Sequence, residues 1–409
     1  MTARANPGVP VHDVAIVGGG LVGGVLAAAL AGRGLDVALI DRLAPHQGIA
    51  LTFDGRAAAV SLAGQRLLDA VGVWPHVAPE TEPIREIRVS DGPSLMFLHY
   101  DHADVGPDPL GFMAENRHLR AAIASAIAGL GNALTVFSSA AVTGFAQTAD
   151  EARLQLGDGR TVRSRLAIAA EGRASVLRSA AGIRVSGWDY PQTAIVATIG
   201  HEKSHGGIAH EHFLPPGPFA ILPLAGGHRS SLVWTERPDL AAAYLALPED
   251  RFLDEIARRV GGFLGALSLI GPRFSYPLGL QFAERYVEGR LVLVGDTAHG
   301  IHPIAGQGLN LGLRDVAALT EILVDGAQLG LDPANPAGLD AYQRWRRADN
   351  LLMAGVTDLL NRLFSNDVGP VRLARDLGLD AVNRIAPLKR FFMRHAMGTV
   401  GDLPALMRK

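Results

Sequence analysis

The run VLVGDTAHGIHPIAGQGLNLGLRD, residues 292–315, starts as an apolar strand and breaks at Gly295 and Asp296. It then crosses a loop rich in Gly, His and Pro and enters a helix near Leu309. An acid at a strand end, followed by a glycine-rich helix entry, suits a polyhydroxylated, phosphorylated cofactor. Asp296 can accept hydrogen bonds from ribityl or ribose hydroxyls. Gly306, Gly308 and the first N–H groups of the helix let a polar ring or phosphate approach the backbone. An ordinary strand-loop-helix connection has the same outline, so this run alone leaves both readings open.

A second run narrows the choice. Residues 14–17 form a short β-branched strand, and Gly18-Gly19-Gly20-Leu21-Val22-Gly23 supplies G-x-G-x-x-G. Residues 21–31 continue as an Ala-rich helix, and an apolar strand at 37–40 ends in Asp41. This is the dinucleotide-binding βαβ pattern. Gly18 makes the tight turn, Gly20 admits the pyrophosphate, and Gly23 lets helix and strand pack closely, with Leu21 and Val22 opening the helix. Asp41 lies about 20 residues on, where the ribose-binding carboxylate is expected.

Together these runs resemble the class A flavoprotein monooxygenases of the para-hydroxybenzoate hydroxylase type, and within them the ubiquinone-biosynthesis hydroxylases. The resemblance spans most of the chain. It is carried by Gly18 to Gly23, Arg56 in DGRAAAVS, EGRAS at 171–175 with Arg178, Gly295-Asp296, and HPIAGQGLNLGLRD at 302–315. Asp41 stands where the family more often has Glu, and Glu171 where it usually has Asp. The resemblance implies an α/β fold: a Rossmann-like FAD-binding domain with an inserted, mainly β-sheet substrate lobe and a helical C-terminal segment. It implies FAD contacts at Gly18, Gly20, Leu21, Val22, Gly23, Asp41, Arg56, Asn116, Glu171, Gly172, Gly295, Asp296, Pro303, Gly306, Gly308, Leu309 and Asn310, with no catalytic side chain and no metal. NADPH or NADH would bind transiently, because only one dinucleotide fingerprint is present. Reduced flavin would trap O2 as a C4a-hydroperoxide that attacks an electron-rich phenol. The substrate would be a polyprenylated phenol, met at a membrane surface or in a biosynthetic complex, and the location cytoplasmic or peripheral at the inner membrane.

Composition sets the outer bounds. With 409 residues, 48% hydrophobic and 19% charged, the chain can bury a large core and divides into lobes. A net charge of -2 gives no pull toward nucleic acid. No cysteine is present, which removes disulfides, thiolate metal sites and a Cys nucleophile. Residues 1–12 lack the apolar stretch of a signal peptide, and no uncharged apolar run reaches the length of a membrane span.

The FAD-binding domain is expected over 1–80, 100–181 and 277–337, the substrate lobe over 81–99 and 182–276, and the C-terminal helical segment over 338–409. Residues 57–71 read as one amphipathic helix, 240–260 as a charged helix, and 339–364 as a long helix that packs across the nucleotide lobe through Tyr342, Trp345, Leu351, Leu352, Val356, Leu359, Leu360 and Leu363, with Arg344, Arg346 and Arg347 opposite. Asn116 opens a helix to about residue 130, and as a helix cap it would need no cofactor. Alternation of Ile84, Ile87, Val89, Leu95 and Phe97 within 81–99 reads as strands of a sheet set apart from the nucleotide fold, and further strands are expected at 134–137, 152–156 and 161–169, with a turn at Gly157-Asp158-Gly159. Trp188, Phe213, Phe219 and Trp234 are candidate pocket walls, though residues of these types are more often plain core. His201, His205, His210 and His212 lack metal-site spacing and read as a solvated loop. Residues 384–409 are basic and apolar together, suited to anionic lipid, a partner, or a helix on its own core. Rival functions sharing these features are a hydroxylase of small soluble aromatics, a polyprenyl double-bond reductase, and a non-catalytic flavoprotein subunit of a membrane-associated assembly.

Overall fold

The computed structural model describes residues 10–43, 53, 55–92, 97–302, 306–365, 375, 378 and 381–409. The strand Val11–Val17 pairs in parallel with Val37–Ile40 on one side and Thr161–Ala169 on the other, and Thr161–Ala169 pairs in parallel with Leu291–Leu293. Val287–Glu288 and Leu134–Phe137 close the two edges of this sheet, while Ala152–Leu156 and Val142–Gln147 extend antiparallel from Thr161–Ala169. Parallel strands covered on both faces carry unbroken apolar runs. VALI at 37–40 and LVL at 291–293 are buried throughout. The helices Leu21–Ala31 and Gln307–Gln328 pack on this sheet and against each other. Gly295 and Gly312 let Val22 sit between them, since a Cβ on Gly312 would meet Val22 Cγ2 at 2.7 Å.

A second sheet runs in the order His299–Gly300, Leu267–Ala283, Val185–His201, Arg229–Glu236, Gly217–Leu224, Ile208–Leu214, Glu86–Asp91, Phe97–Asp101. One face is covered by the helices Pro238–Leu245 and Glu249–Val260 through Phe219, Trp234, Phe252 and Ile256. The other face looks toward the nucleotide lobe. Between the two lies a small sheet of Ala57–Ser61, Gly111–Glu115 and Thr81–Ile84.

Several expectations change. Residues 57–61 are a strand, not the first turns of a helix, because AAAVS finds ladder partners in Gly111–Glu115. The helix Leu62–Ala70 begins where Ser61 Oγ accepts the Gly64 N–H. Thr81–Ile84 pairs in the small sheet and not with the substrate sheet, and Leu95 lies outside the described residues. The charged segment at 240–260 is two helices, since Pro248 precedes the second. The strand Val142–Gln147 has no counterpart in the sequence reading, Gly144 and polar neighbours having masked it. In the long helix Pro336–Phe364, Tyr342 and Trp345 pack inward and Arg344 and Arg347 are exposed as expected, but Arg346 and several of the later leucines exchange places. Leu352 and Leu359 are 70% and 65% exposed, whereas Arg346 is 0% exposed.

The burial of Arg346 is explained by what it meets. Its Nε donates to Asp315 Oδ1 at 2.8 Å, one Nη to Asp349 at 2.6 Å and the other to Asn350 Oδ1 at 2.8 Å. Asp315, also wholly buried, takes the Gly295 N–H at 3.0 Å and the His299 imidazole on Oδ2. Burial alone would push the Asp315 carboxyl up, but His299 and Arg346 outweigh it and hold it down at about 2. Tyr342 adds a hydrogen bond to the Leu293 carbonyl at 3.0 Å. The long helix is thereby tied to both ends of the turn after Leu291–Leu293. Replacing Arg346 with Met keeps the aliphatic stem but removes the cation, and this should cost about 3–5 kcal/mol in chemical denaturation, the usual penalty for breaking a buried pair. A loss below about 1 kcal/mol would show that the network carries no such weight.

Candidate functional site

Four loops leave the carboxyl edge of the parallel sheet side by side, where open α/β sheets place their ligands. They follow Val17, Ile40, Ala169 and Leu293. The glycines of the first loop differ in what they are for. Gly18 has φ +104 and its Cβ would strike the Ala170 carbonyl, while a Cβ on Gly23 would strike the Gly18 carbonyl. Both are therefore packing glycines. Gly20 is exposed, and a Cβ there would meet nothing within 4 Å, so its free space is left to a ligand. Gly20 also starts the helix Leu21–Ala31 without a side-chain cap, which leaves the first N–H groups at Leu21 and Val22 facing that space. Asp41 takes the Gly19 N–H on Oδ2 and the Leu43 N–H on Oδ1, at 2.5 and 2.7 Å. Each oxygen keeps a further lone pair for a hydroxyl.

Gly295 turns with φ +58, and Asp296 is the one exposed residue in the otherwise buried run 291–300. The fourth loop reaches the helix Gln307–Gln328 through Gly306, which caps it in the left-handed conformation with φ +62 and no side-chain bond. Gly308 has open space at its Cβ position. Two uncapped helix N-termini and an exposed strand-end acid fit a dinucleotide that spans from phosphates to a polar ring.

Other expected contacts are placed less directly. Asn310 spends its side chain on the strand Ala57–Ser61, accepting from the Ser61 N–H at 2.9 Å and donating to the Ala59 carbonyl at 2.9 Å. Only its backbone remains for a ring. Glu171 turns away to the helix Val176–Ala180, accepting from Ser175 Oγ and the Leu177 N–H, so that loop meets the crevice through Gly172 and not through a carboxylate. Gly172, with φ +86, is tied to Thr297 Oγ1 at 3.0 Å. Arg178 bridges the carbonyls of Thr297 and Arg173. Arg56 is exposed at a strand entry, not a helix entry, with its guanidinium 5.4 Å from the Tyr276 ring. Its carbonyl accepts the Asn116 N–H at 3.0 Å, which brings the two together. Asn116 is not the cap, since Glu115 holds that position, and the buried Asn116 Oδ1 lacks a hydrogen-bond partner among the described residues. Pro303 lies outside the described residues.

A cavity of about 260 Å³ opens from the start of the helix Gln307–Gln328, at Gly306, Gln307 and Asn310, to the face of the second sheet opposite its helices. Its walls are mostly aliphatic: Ile84, Ile87, Val89, Ala209, Leu222 and Val233. Trp188, Phe213, Phe219 and Trp234 do not line it. Phe219 and Trp234 fill the core on the reverse face, Phe213 stacks on Phe364 at 4.1 Å, and Trp188 is 45% exposed. Alternation at Ile84, Ile87 and Val89 carried the signal for these walls, but it marks only a strand and not which face borders a cavity.

The histidines are not a solvated loop. His201 and His205 are buried and bonded to Ser230, Lys203 and Leu224. His210 and His212 lie on the strand Ile208–Leu214, and burial pushes His210 down to about 4. His302 is likewise lowered by burial to about 4 and rests edge-on to Tyr190 at 5.1 Å.

Replacing Gly20 with Val should abolish FAD binding, because the branched side chain fills the open space, while the melting temperature of the apoprotein stays unchanged. Asp296→Ala should weaken FAD about tenfold or more, the worth of one charge-assisted hydrogen bond of roughly 1.5 to 3 kcal/mol. Flavin fluorescence titration of both variants checks this, and wild-type affinity in either would contradict the assigned crevice.

Comparison with known proteins agrees with this geometry. The FAD binding domain family matches residues 11–352. Ubiquinone hydroxylase UbiL of Rhodospirillum rubrum is 55% identical over 401 residues, covering 97% of this chain and 93% of its own. The 3-demethoxyubiquinol 3-hydroxylase of Escherichia coli (strain K12) is 36% identical over 388 residues, covering 94% and 98%. Among solved structures, p-nitrophenol 4-monooxygenase PnpA of Pseudomonas putida shares the fold with a TM-score of 0.80 at 20% identity, over 95% of this chain and 98% of that one. With a crevice shaped for FAD and relatives that match nearly end to end, this chain belongs to the FAD-dependent monooxygenases of the ubiquinone-biosynthesis hydroxylase family.

Proposed function

We propose that the protein hydroxylates the ring of a polyprenylated phenol on the route to ubiquinone, consuming O2 and NADH or NADPH. The observation that carries this reading is the aliphatic cavity that begins at the uncapped N-terminus of the helix Gln307–Gln328. Bound FAD supplies the oxygen-activating redox chemistry. The chain's own part is to hold and shield. N–H groups at Gly308, Leu309 and Asn310 set partial positive charge where the electron-rich edge of the flavin ring would lie. Ile84, Ile87 and Val89 exclude water from the substrate ring and offer the surface a prenyl tail needs, at about 0.8 kcal/mol per buried CH2 before ordering costs. Labelled dioxygen is the test. One labelled atom should enter the ring, and short-chain phenols should bind poorly and divert reducing equivalents to peroxide. A hydroxyl drawn from water, or reduction of a prenyl double bond without O2 consumption, would overturn the reading.

The same reading extends to where the substrate is met. No helix among the described residues is long and apolar enough to cross a membrane. The helix Ala386–Ala396 points Met393 into the core that holds Ile84, Leu110 and Leu224. On its outer side Phe391 and Phe392 are 50% and 42% exposed, with Arg390 and Arg394 also exposed. Residues 381–401 contain no acid. Aromatic and basic groups on one outward surface complement an anionic bilayer. Lys389 takes no part, being paired with Asp104 at 2.7 Å. At about 1 kcal/mol per basic residue near such a surface, Arg390→Gln with Arg394→Gln should cut partitioning to phosphatidylglycerol vesicles roughly thirtyfold. Sedimentation at low salt is the measurement, and unchanged binding would sink the assignment.

A further inference from the structure

The long helix Pro336–Phe364 buries Arg346, Asn350, Ala354, Thr357 and Asn361 and leaves an apolar stripe outside. Ala348, Leu352, Gly355 and Leu359 are all exposed, and their steps of four, three and four keep them on one narrow line along the helix. Leu351 and Val356 flank that line, 47% and 44% exposed. A contiguous apolar surface of this kind marks a place of interaction. Three observations say what covers it. The first is Gly355. Glycine in a helix interior is less stable than alanine, and nothing in this protomer asks for it, since a Cβ there would meet nothing within 4 Å. Close approach of another backbone from outside does ask for it. The second is the order of sizes along the line, small, large, small, large. Laid antiparallel on a copy of itself about a two-fold axis between Met353 and Ala354, the line sets Leu352 against Gly355 of the second copy and Ala348 against Leu359 of the second copy, so a large residue meets a small one in every layer. A parallel pair would set leucine on leucine and leave a gap at each glycine. The third is charge. Residues 348–361 contain two acids and no Lys or Arg, which gives an anionic bilayer nothing to attract, in contrast with the helix Ala386–Ala396.

We propose that the outer face of the long helix is the contact of a homodimer, in which two copies pack antiparallel through Ala348, Leu352, Gly355 and Leu359. The same patch serves both copies, as a two-fold contact requires. Asp349 and Asp358 do not oppose it, because each is satisfied inside its own protomer, Asp349 by Arg314 and Arg346 and Asp358 by Tyr190 and Arg362. The exposed leucines with the polar rim around them bring the pair to roughly the 1,000 Å² that a specific interface must clear, at the small end of the range. The contact lies on the side of the helix away from Arg346 and Asp315, so both copies keep their cofactor crevices intact.

The test uses FAD-loaded full-length protein. Sedimentation equilibrium should give twice the 43.1 kDa chain mass, with a dissociation constant of about 1 to 10 µM for a contact of this size. Leu352→Glu puts like charges on both halves of the contact and Gly355→Leu holds the helices apart. Each should raise that constant about a hundredfold or more while FAD content stays at the wild-type level. The chain has no cysteine, so the direction of packing can be read chemically. Under mild oxidation a mixture of the Ala348→Cys and Leu359→Cys proteins should form a disulfide-linked pair. Either variant alone should not, because the two copies of each position lie about 16 Å apart along an antiparallel pair. A monomer throughout this concentration range, a dimer indifferent to Leu352→Glu and Gly355→Leu, or crosslinks formed by either cysteine variant alone would overturn the proposal. A bilayer as the true occupant would overturn it too, and would show as a monomer mass in every sample, with phosphatidylglycerol vesicles bound more tightly by Gly355→Leu and less tightly by Leu352→Glu.

Discussion

A single carboxylate, Asp315, sits fully inside the protein and yet keeps its charge, and the cofactor crevice is arranged around it. A buried acid of this kind is tolerable only with its partners in place. Those partners come from three different pieces of chain: Arg346 on the long helix, His299 on a short strand joined to the substrate sheet, and the N–H of Gly295. The turn that exposes Asp296 is thus fixed from behind by a charge, not from the front by a ligand. Loss of any one partner would leave the other two facing an uncompensated charge, so the nucleotide lobe, the substrate sheet and the long helix are held to one mutual geometry.

Most of the nucleotide lobe was legible in the sequence because its signals are local. Glycines at 18, 20 and 23, an acid at 41 and an apolar strand ending in Gly295-Asp296 each constrain a few neighbouring residues, and all four loops do meet at one sheet edge. What was not legible depends on contacts distant in sequence. The strand Ala57–Ser61 reads as helix by composition, but its partner lies fifty residues on and its final carbonyl and N–H groups are taken by Asn310. Arg346 on the long helix was misplaced for the same reason. An amphipathic pattern says that leucines and arginines lie on opposite faces, but not that a buried aspartate would draw Arg346 inward.

On the proposed reading, the residues of the crevice divide by which part of each would be used. Asp41 and Asp296 offer side chains. Gly20, Gly172, Gly306, Gly308 and Asn310 offer backbone or empty space, and the Asn310 side chain is spent joining the flavin-loop helix to the floor of the cavity. Cofactor seat and cavity floor therefore share one hydrogen-bonded joint. On the proposed reading, a prenyl tail pressing on Ala59 or Ser61 would press on the helix start that would face the flavin.

A site assembled largely from atoms that are missing has a consequence for how it can be damaged. Truncating side chains one at a time, as an alanine scan does, removes matter, and at Gly20 and Gly308 there is nothing to remove. The vulnerable positions are those where adding a single methyl group obstructs the crevice, so the map of harmful substitutions should be nearly the inverse of the map expected for an enzyme that works through acids, bases and nucleophiles.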